Sequence, residues 1–236
     1  MQLKAIFFDL DDTLYSSFKA GNREGFARCG QYAAEHFGLS AEDFSERMQQ
    51  ARRAFAARLP REPEIHDRAL WAQHALESYG INPIAHVEAL DNLYWESVLA
   101  HTKIRAGVSE LFADLHANGV KIGVCTNMLV GMQARKLCLL GIADQIDFLV
   151  TSEEAGKDKP DPAIFELALK KANCQPEEAL MVGDNFDHDI VGAHAVGISG
   201  LWLHVHEGDS VTADFDFLES PDFQHAAEQI RARFLK

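Results

Sequence analysis

Cysteine is scarce in this chain, and long hydrophobic runs are missing. The 236 residues include four cysteines, none of them in a Cys-x-x-Cys pair. This scatter provides neither zinc-finger spacing nor a disulfide framework, so we expect reduced thiols in a cytoplasmic protein. The N-terminus lacks the basic and apolar segments of a secretory signal, and no run reaches membrane-spanning length. We therefore expect no membrane partner.

Positive charge is also in short supply. Lysine and arginine total 22 against 36 aspartate and glutamate residues, which gives a formal net charge of -14. Such an acidic chain is a poor match for a phosphate backbone or an anionic lipid surface, so a nucleic-acid partner is not expected. Apolar residues make up 47% of the chain, which is ordinary for a globular protein large enough for one large domain or two modest ones.

A short apolar stretch near the N-terminus ends in a group of carboxylates. Residues 5–8 read Ala-Ile-Phe-Phe, which is typical of a strand buried on both faces of a parallel sheet. Asp9, Asp11 and Asp12 follow at once. Carboxyl ends of such strands line the crevice where open α/β sheets bind ligands. In extended backbone Asp9 and Asp11 point to the same side, where a cation would keep both ionised.

Helical periodicity dominates the next part of the chain. Residues 14–22 favour a turn region, and the apolar pattern then predicts a helix that Gly38 ends and a second that starts at Ser40. A third helix is predicted over about residues 67–79, and Asn82-Pro83 indicates the start of a fourth, with Ile84 on its inward face. Four helices in succession predict a helical bundle inserted over residues 16–103.

From residue 104 onward, strand and helix patterns alternate. Apolar strands are predicted over residues 120–125, 146–150, 179–182 and 199–203, the last being the final strand, with a helical tail from about residue 222. This alternation predicts an α/β core, a Rossmann-like parallel sheet with helices on both faces. The core would comprise residues 1–15 and 104–236.

Polar residues follow several of these strands. The candidate site residues are Asp9, Asp11, Thr126, Asn127, Lys159, Asp184 and Asp189. Carboxylates, a lysine and hydroxyl or amide donors at one sheet edge suit phosphate and a hard dication such as Mg²⁺. Each piece alone has an ordinary alternative: Thr126 as a helix cap, Lys159 as a solvated loop charge, Asp184 and Asp189 as helix caps that face solvent.

The order of these residues resembles that of the haloacid dehalogenase-like (HAD) hydrolase superfamily. Four motifs carry the resemblance: Asp9-x-Asp11-x-Thr13, a strand ending at Thr126, Lys159, and Gly183-Asp184 followed by Asp189. All four are intact, and they span nearly the whole predicted core. The inserted helices resemble the α-helical cap of the C1-capped phosphatase branch.

The resemblance implies a role for each site residue. Asp9 would be the nucleophile that forms an aspartyl-phosphate, and Asp11 the general acid and then the base. Mg²⁺ would be held by the side chains of Asp9 and Asp184 and the backbone carbonyl of Asp11, with Asp189 nearby. The phosphoryl oxygens would contact Thr126, Lys159 and Asn127.

The family hosts several reactions, so the fold alone does not settle the function. Haloacid dehalogenases lack the second aspartate of the first motif, and its presence here as Asp11 favours a phosphatase of a nucleotide, sugar phosphate or phospho-acid. A phosphosugar mutase would keep the same motifs and stays open as an alternative, as does a dehalogenase. A non-catalytic binding protein would be expected to lose a motif, and none is lost. The expected partner is therefore a small phosphate ester, with the chain a monomer or homodimer.

Two further groups of residues lie outside the four motifs. His204 and His206 lie near the end of the last predicted strand, and polar strand-end residues are favoured over a second metal site. The insertion concentrates arginines at positions 47, 52, 53, 58 and 61, most of which are expected to cover a solvated helix face. Since the four motifs contain little that distinguishes one ester from another, the insertion is expected to act as a lid that selects the substrate.

Overall fold

The computed structural model describes residues 3–205 and 211–235, which form two compact units. One unit combines the segment up to Ser16 with the chain from Lys103 onward, and the other spans Ser17–Thr102. We call the first the sheet unit and the second the helical unit. Within the described ranges, no helix combines the length and hydropathy that crossing a bilayer requires.

The sheet unit is built on a parallel sheet. The strands formed by the described residues are β1 (Ala5–Phe8), β2 (Tyr15–Ser16), β3 (Lys103–Ile104), β4 (Lys121–Thr126), β5 (Phe148–Thr151), β6 (Ala179–Gly183), β7 (Ser199–Leu203) and β8 (Leu218–Ser220). Strands β2 and β3 pair antiparallel, and the other six form one parallel sheet in the order β5-β4-β1-β6-β7-β8. The predicted α/β core with a parallel sheet is confirmed.

Helices account for most of the remaining chain. They are α1 (Phe18–Phe37), α2 (Ala41–Arg58), α3 (Arg68–Ser78), α4 (Val87–His101), α5 (Val108–Ala117), α6 (Val130–Leu139), α7 (Ser152–Ala155), α8 (Pro162–Ala172), α9 (Gly192–Ala195) and α10 (Phe223–Phe234). A π-helical turn, Phe186–Val191, precedes α9. Helices α1 to α4 lie in the helical unit and the others in the sheet unit.

The central strand β1 is buried on both faces, as its unbroken apolar sequence predicts. All four of its residues are fully buried. Phe8 packs against Phe112 of α5, with ring centroids 5.2 Å apart, and Phe7 joins a cluster with Phe165 of α8. Because successive side chains of a strand point to opposite faces, helices cover both sides of the sheet. The position of the carboxyl end of β1 is therefore fixed by packing on both faces of the sheet.

The helical unit has an aromatic core. Phe26 of α1 lies edge-on to Tyr94 of α4, with ring centroids 5.4 Å apart, and stacks on Trp71 of α3 at 6.1 Å. Helices α1 and α4 approach closely at Gly21, where an added Cβ would lie 2.6 Å from the Cα of Val98. A larger residue at position 21 would thus separate these two helices.

Three local predictions were wrong. Helix α4 begins at Val87 rather than after Pro83, because the Asn82 side chain accepts a hydrogen bond from the Ile84 amide within a separate turn. Ile84 is consequently 82% exposed and does not face inward. The expected turn over residues 14–22 contains β2 and the start of α1. The strand at residues 199–203 is not the last, because β8 pairs beside it.

Candidate active site

Three neighbouring strands bring the predicted residues to one edge of the sheet. Strand β1 lies between β4 and β6, with Phe8 in register with Val124 and Val182. Since the strands are parallel, Asp9, Thr126 and Asp184 emerge together where these strands end. The parallel sheet therefore brings together residues that are far apart in the sequence.

A cluster of carboxylates stands at this edge. Asp9, Asp184 and Asp189 each offer an oxygen, and these oxygens all lie within 4.8 Å of one another. Burial raises the pKa of Asp9 to about 6, against the lowering effect of Lys159. Burial and the charge of Asp9 raise the pKa of Asp184 to about 8. A bound cation would relieve the repulsion between these carboxylates and would favour their ionised forms.

The donor chemistry of this cluster fits a hard dication. Carboxylate oxygens are the ligands that Mg²⁺ prefers, usually one or two per ion with water and substrate oxygens completing the shell. Asp9 and Asp184 meet that description, and Asp189 lies beside them. Three of the four predicted metal ligands therefore lie together, and the role of the Asp11 carbonyl stays a prediction.

Lys159 lies within the carboxylate cluster. Its Nζ is 2.8 Å from Asp9 Oδ1 and 2.5 Å from Asp189 Oδ1, and it also donates to the Cys125 carbonyl at 2.8 Å. Burial works against the charge, but the carboxylates of Asp189 and Asp9 outweigh it and raise the pKa of Lys159. The side chain is almost fully buried and cationic, so the alternative of a solvated loop lysine is wrong.

Asn127 holds the loop that carries Lys159. Its side-chain nitrogen donates to the Lys159 carbonyl at 3.1 Å, and its oxygen accepts from the Lys159 amide at 2.6 Å. Both ends of the amide are therefore engaged with backbone. Asn127 fixes the position of the lysine, and its predicted contact with phosphate stays a prediction.

The second aspartate of the last motif is locked by its surroundings. Asp189 is 1% exposed and accepts a hydrogen bond from the Asn185 amide at 3.0 Å. Gly183 leaves room for it, because a Cβ there would lie 2.1 Å from Asp189 Oδ2. Any side chain at position 183 would displace this carboxylate.

Asp184 is oriented by two residues that the sequence analysis gave no role. The Thr13 hydroxyl donates to Asp184 Oδ1 at 3.2 Å and accepts from the Asp184 amide at 3.1 Å. Trp202 donates its indole N–H to the Asp184 carbonyl at 2.9 Å. Thr13 belongs to the first motif and could have been considered, whereas the contact of Trp202 depends on the pairing of β6 with β7.

Asp11 is held by a set of donors that the sequence analysis missed. Lys136 Nζ lies 2.5 Å from Asp11 Oδ1, Gln133 Nε2 lies 3.0 Å from Oδ2, and the Tyr15 hydroxyl donates to Oδ1. Burial alone would raise the pKa of Asp11, but the Lys136 charge and the hydrogen bonds lower it. The predicted general acid is thus held as a carboxylate. One signal was available in the sequence. The buried face of α6 carries Gln133 and Lys136 beside Leu137, at two positions where apolar residues would be expected.

The remaining candidates are described by their local contacts. His204 lies beside the Trp202 ring, with ring centroids 5.1 Å apart, while His206 is outside the described residues. In the helical unit Arg53 pairs with Glu46 at 2.5 Å and stays exposed. Arg52 lies over the Trp71 ring, 5.8 Å from its centroid. Partial desolvation and the nearby Arg68 charge lower the pKa of Arg52.

Known proteins resemble this chain over nearly its full length. Residues 3–197 match the family model described as haloacid dehalogenase-like hydrolase. A ribulose-1,5-bisphosphate 5-phosphatase from Halopiger xanaduensis is 33% identical over 214 residues, covering 90% of this chain and 89% of that protein. A glyceraldehyde 3-phosphate phosphatase from Methanothermobacter thermautotrophicus is 32% identical over 203 residues, covering 86% of each.

Solved structures share the fold. A HAD phosphatase from Thermococcus onnurineus has a TM-score of 0.74 at 21% identity, covering 98% of this chain and 97% of that one. A 2-haloacid dehalogenase from Pseudomonas syringae has a TM-score of 0.74 at 26% identity, covering 98% and 99%. With the phosphatase relatives, the family match confirms the predicted enzyme class, a HAD-type phosphoric monoester hydrolase. The chain belongs to the haloacid dehalogenase-like hydrolase family.

Proposed function

We propose that this enzyme is a Mg²⁺-dependent phosphatase of a small phosphorylated metabolite that works through an aspartyl-phosphate on Asp9. The observation that carries the proposal is the position of Asp9 at the sheet edge, within 4.8 Å of the other two carboxylates and 2.8 Å from Lys159. A carboxylate surrounded in this way can accept a phosphoryl group, because the cations beside it offset the charge that otherwise repels a phosphate.

The reaction would take place in two steps on the residues of the sheet unit. Asp9 attacks phosphorus, the ester P–O bond breaks, and the leaving alkoxide takes a proton from Asp11. Asp11 then removes a proton from water, which attacks the aspartyl-phosphate and releases inorganic phosphate. The contacts of Asp11 favour its ionised form, which is the form the second step needs; for the first step it must carry a proton.

Other groups would bind the transferring phosphoryl group and the metal. The Thr126 hydroxyl and the Lys159 ammonium would contact phosphoryl oxygens, the lysine as a point charge. Asp9, Asp184 and the Asp11 carbonyl would hold Mg²⁺, with Asp189 nearby. When bound, the ion supplies positive charge that offsets the anionic phosphoryl group and nucleophile.

A sugar phosphate is the substrate class we propose first. The two relatives described above are named for ribulose 1,5-bisphosphate and glyceraldehyde 3-phosphate, both phosphorylated carbohydrates. A panel of sugar phosphates, nucleotides and phospho-acids would rank the candidates by kcat/KM. The panel should include 2-haloacids, because dehalogenases share the fold. Halide release at a rate comparable to phosphate release would overturn the proposal.

Metal removal gives the direct test of the proposed chemistry. Hydrolysis of an aryl phosphate should stop in excess chelator and return with Mg²⁺, because the clustered carboxylates would otherwise repel the substrate. Asp184→Asn should raise the Mg²⁺ concentration needed for half-maximal activity and recover partly at high Mg²⁺. The exposed Asp187 is a matched control, and Asp187→Asn should behave as wild type. Full activity in chelator would exclude the metal assignment.

We also propose that the helical unit contributes to substrate selection, and Arg52 is the arginine on which we base its test. Arg52 lies over Trp71, whereas Arg53 is occupied by Glu46. Arg52→Ala should lower kcat/KM by about tenfold or more for an ester with a second anionic group, the scale of a hydrogen bond to a charged group. It should change hydrolysis of acetyl phosphate little. Arg53→Ala is the control, and an equal response of all substrates to Arg52→Ala would contradict this role.

A further inference from the structure

Helix α6 presents two buried polar side chains to the residues that would perform the chemistry. Gln133 and Lys136 are fully buried and lie three positions apart, so they share one face of the helix. Lys136 contacts one oxygen of the Asp11 carboxylate and Gln133 the other, at 2.5 Å and 3.0 Å. The buried Tyr15 adds a third donor, to the same oxygen as Lys136. Both oxygens of Asp11 are therefore oriented from outside its own loop.

Gln133 also reaches the phosphate-binding candidate Thr126. Its Nε2 lies 2.7 Å from Thr126 Oγ1 as well as 3.0 Å from Asp11 Oδ2. An ionised carboxylate only accepts hydrogen bonds, so the amide nitrogen must face Asp11 and donate to it. Its second hydrogen is then directed to Thr126, whose oxygen accepts it. The hydroxyl hydrogen of Thr126 is thereby left for donation to a phosphoryl oxygen.

Stability does not explain why α6 carries these residues. Burying an ammonium group is costly, and a buried ion pair is often no more stabilising than apolar residues of similar volume. Lys136 occupies a position on α6 next to the buried Leu137, where an apolar side chain would suit the buried side of the helix. Its contact with Asp11 is the feature that an apolar residue could not replace.

We propose that Lys136 and Gln133 are positioning residues for phosphoryl transfer. Lys136 fixes the Asp11 carboxylate for its proton transfers. Gln133 bonds to both Asp11 and Thr126, so the residue that transfers the proton and the hydroxyl that donates to the phosphoryl oxygen keep a constant separation. This inference rests on the proposed function, because it assigns a purpose to Asp11 only if the enzyme cleaves phosphate esters. It places neither Lys136 nor Gln133 in contact with the reacting atoms.

The test uses the leaving group to separate positioning from general damage. A dinitrophenolate leaves without a proton, whereas an alkoxide needs one from Asp11. Lys136→Met should therefore lower kcat/KM by about 100-fold for the best alkyl phosphate of the substrate panel, the scale of a misplaced catalytic group. For 2,4-dinitrophenyl phosphate kcat/KM should stay near wild type, while kcat and KM fall together because water attack in the second step still needs Asp11. Lys136→Arg keeps the cation and should recover part of the loss.

Matched variants make the result decisive. Lys171 pairs with Glu154 at 2.6 Å, away from Asp11, and Lys171→Met should leave both esters unaffected. If Lys136→Met fails to fold, Gln133→Met and Tyr15→Phe remove single donors with little change of shape and must show the same dependence on leaving group. Equal losses for both esters in folded variants, or no loss, would overturn the proposal. A wild-type enzyme that hydrolyses neither ester would instead refute the proposed phosphatase activity.

Discussion

Asp9→Asn is expected to reduce turnover by about 10⁴-fold or more, the scale of losing a catalytic nucleophile. The amide has nearly the same shape as the carboxylate but is a far weaker nucleophile and cannot form the aspartyl-phosphate. Asp9 is 8% exposed and lies 2.8 Å from Lys159, so the replacement is held in the same place. Steady-state rates with an aryl phosphate and saturating Mg²⁺ measure the loss.

The fold should survive this change, because the raised pKa of Asp9 predicts that removing its charge does not lower the stability. Burial raises the pKa of Asp9 to about 6, above the usual aspartate range, so its ionised form is disfavoured in the folded metal-free protein. The destabilisation is absent at acidic pH and fully present above the raised value. Asp9→Asn should therefore keep or raise the thermal midpoint measured at pH 8 in chelator. A lower midpoint would point to unfolding as the cause of inactivity.

Two controls connect the loss to covalent chemistry. Asp12 is the neighbouring carboxylate without an assigned role, and its φ of 61° is one that asparagine tolerates well. Asp12→Asn should retain activity. Acid-quenched wild type should carry phosphate on the peptide that contains Asp9, and Asp9→Asn should carry none. Phosphate on another peptide, or a variant with more than about a tenth of the wild-type rate, would contradict a nucleophilic Asp9.

The grouping of the site residues could be predicted because the carboxyl ends of neighbouring parallel strands lie side by side. Residues 5–8 form an unbroken apolar run, and the segment before Thr126 is a second, so the sequence predicts two buried strands that end at polar residues. Once both strands are placed in one parallel sheet, their carboxyl ends must meet. Residues 179–182 form a third apolar run, which ends at Gly183-Asp184, so the grouping of Asp9, Thr126 and Asp184 required no knowledge of the loops.

The supporting contacts could not be predicted in the same way. Asn127 is 32 positions from Lys159, and whether its amide faces phosphate or backbone depends on the path of the loop between them. Lys136 is 125 positions from Asp11, and a lysine on a helix is usually taken as solvent-exposed. The start of α4 was misplaced for a related reason, since the Asn82 side chain can accept a hydrogen bond within a turn as readily as at the start of a helix.

Lys159→Met is the second change with a large expected effect. The lysine bridges two buried carboxylates, at 2.8 Å from Asp9 and 2.5 Å from Asp189. Removing one partner of a buried ion pair leaves uncompensated charge and costs roughly 3–5 kcal/mol of unfolding free energy. The rate should also fall by about 10²–10³-fold, the scale of losing a charged donor to a developing anion. Lys170→Met, at an exposed position of α8, is the control and should change both quantities little.

Magnesium should separate the two roles of Lys159. With the ammonium removed, Asp9 and Asp189 lose their cation, so Mg²⁺ should raise the thermal midpoint of the variant more than that of wild type. The comparison belongs at or above about pH 8, because burial and Asp9 raise the pKa of Asp184 to about 8 and protons compete with the metal below that value. Activity should stay low even when stability is restored, since a metal held by the carboxylates does not replace the ammonium that contacts the phosphoryl group. If Mg²⁺ restored the rate together with the midpoint, Lys159 would be only a counter-ion for the empty cluster, and its assignment to phosphate binding would be wrong.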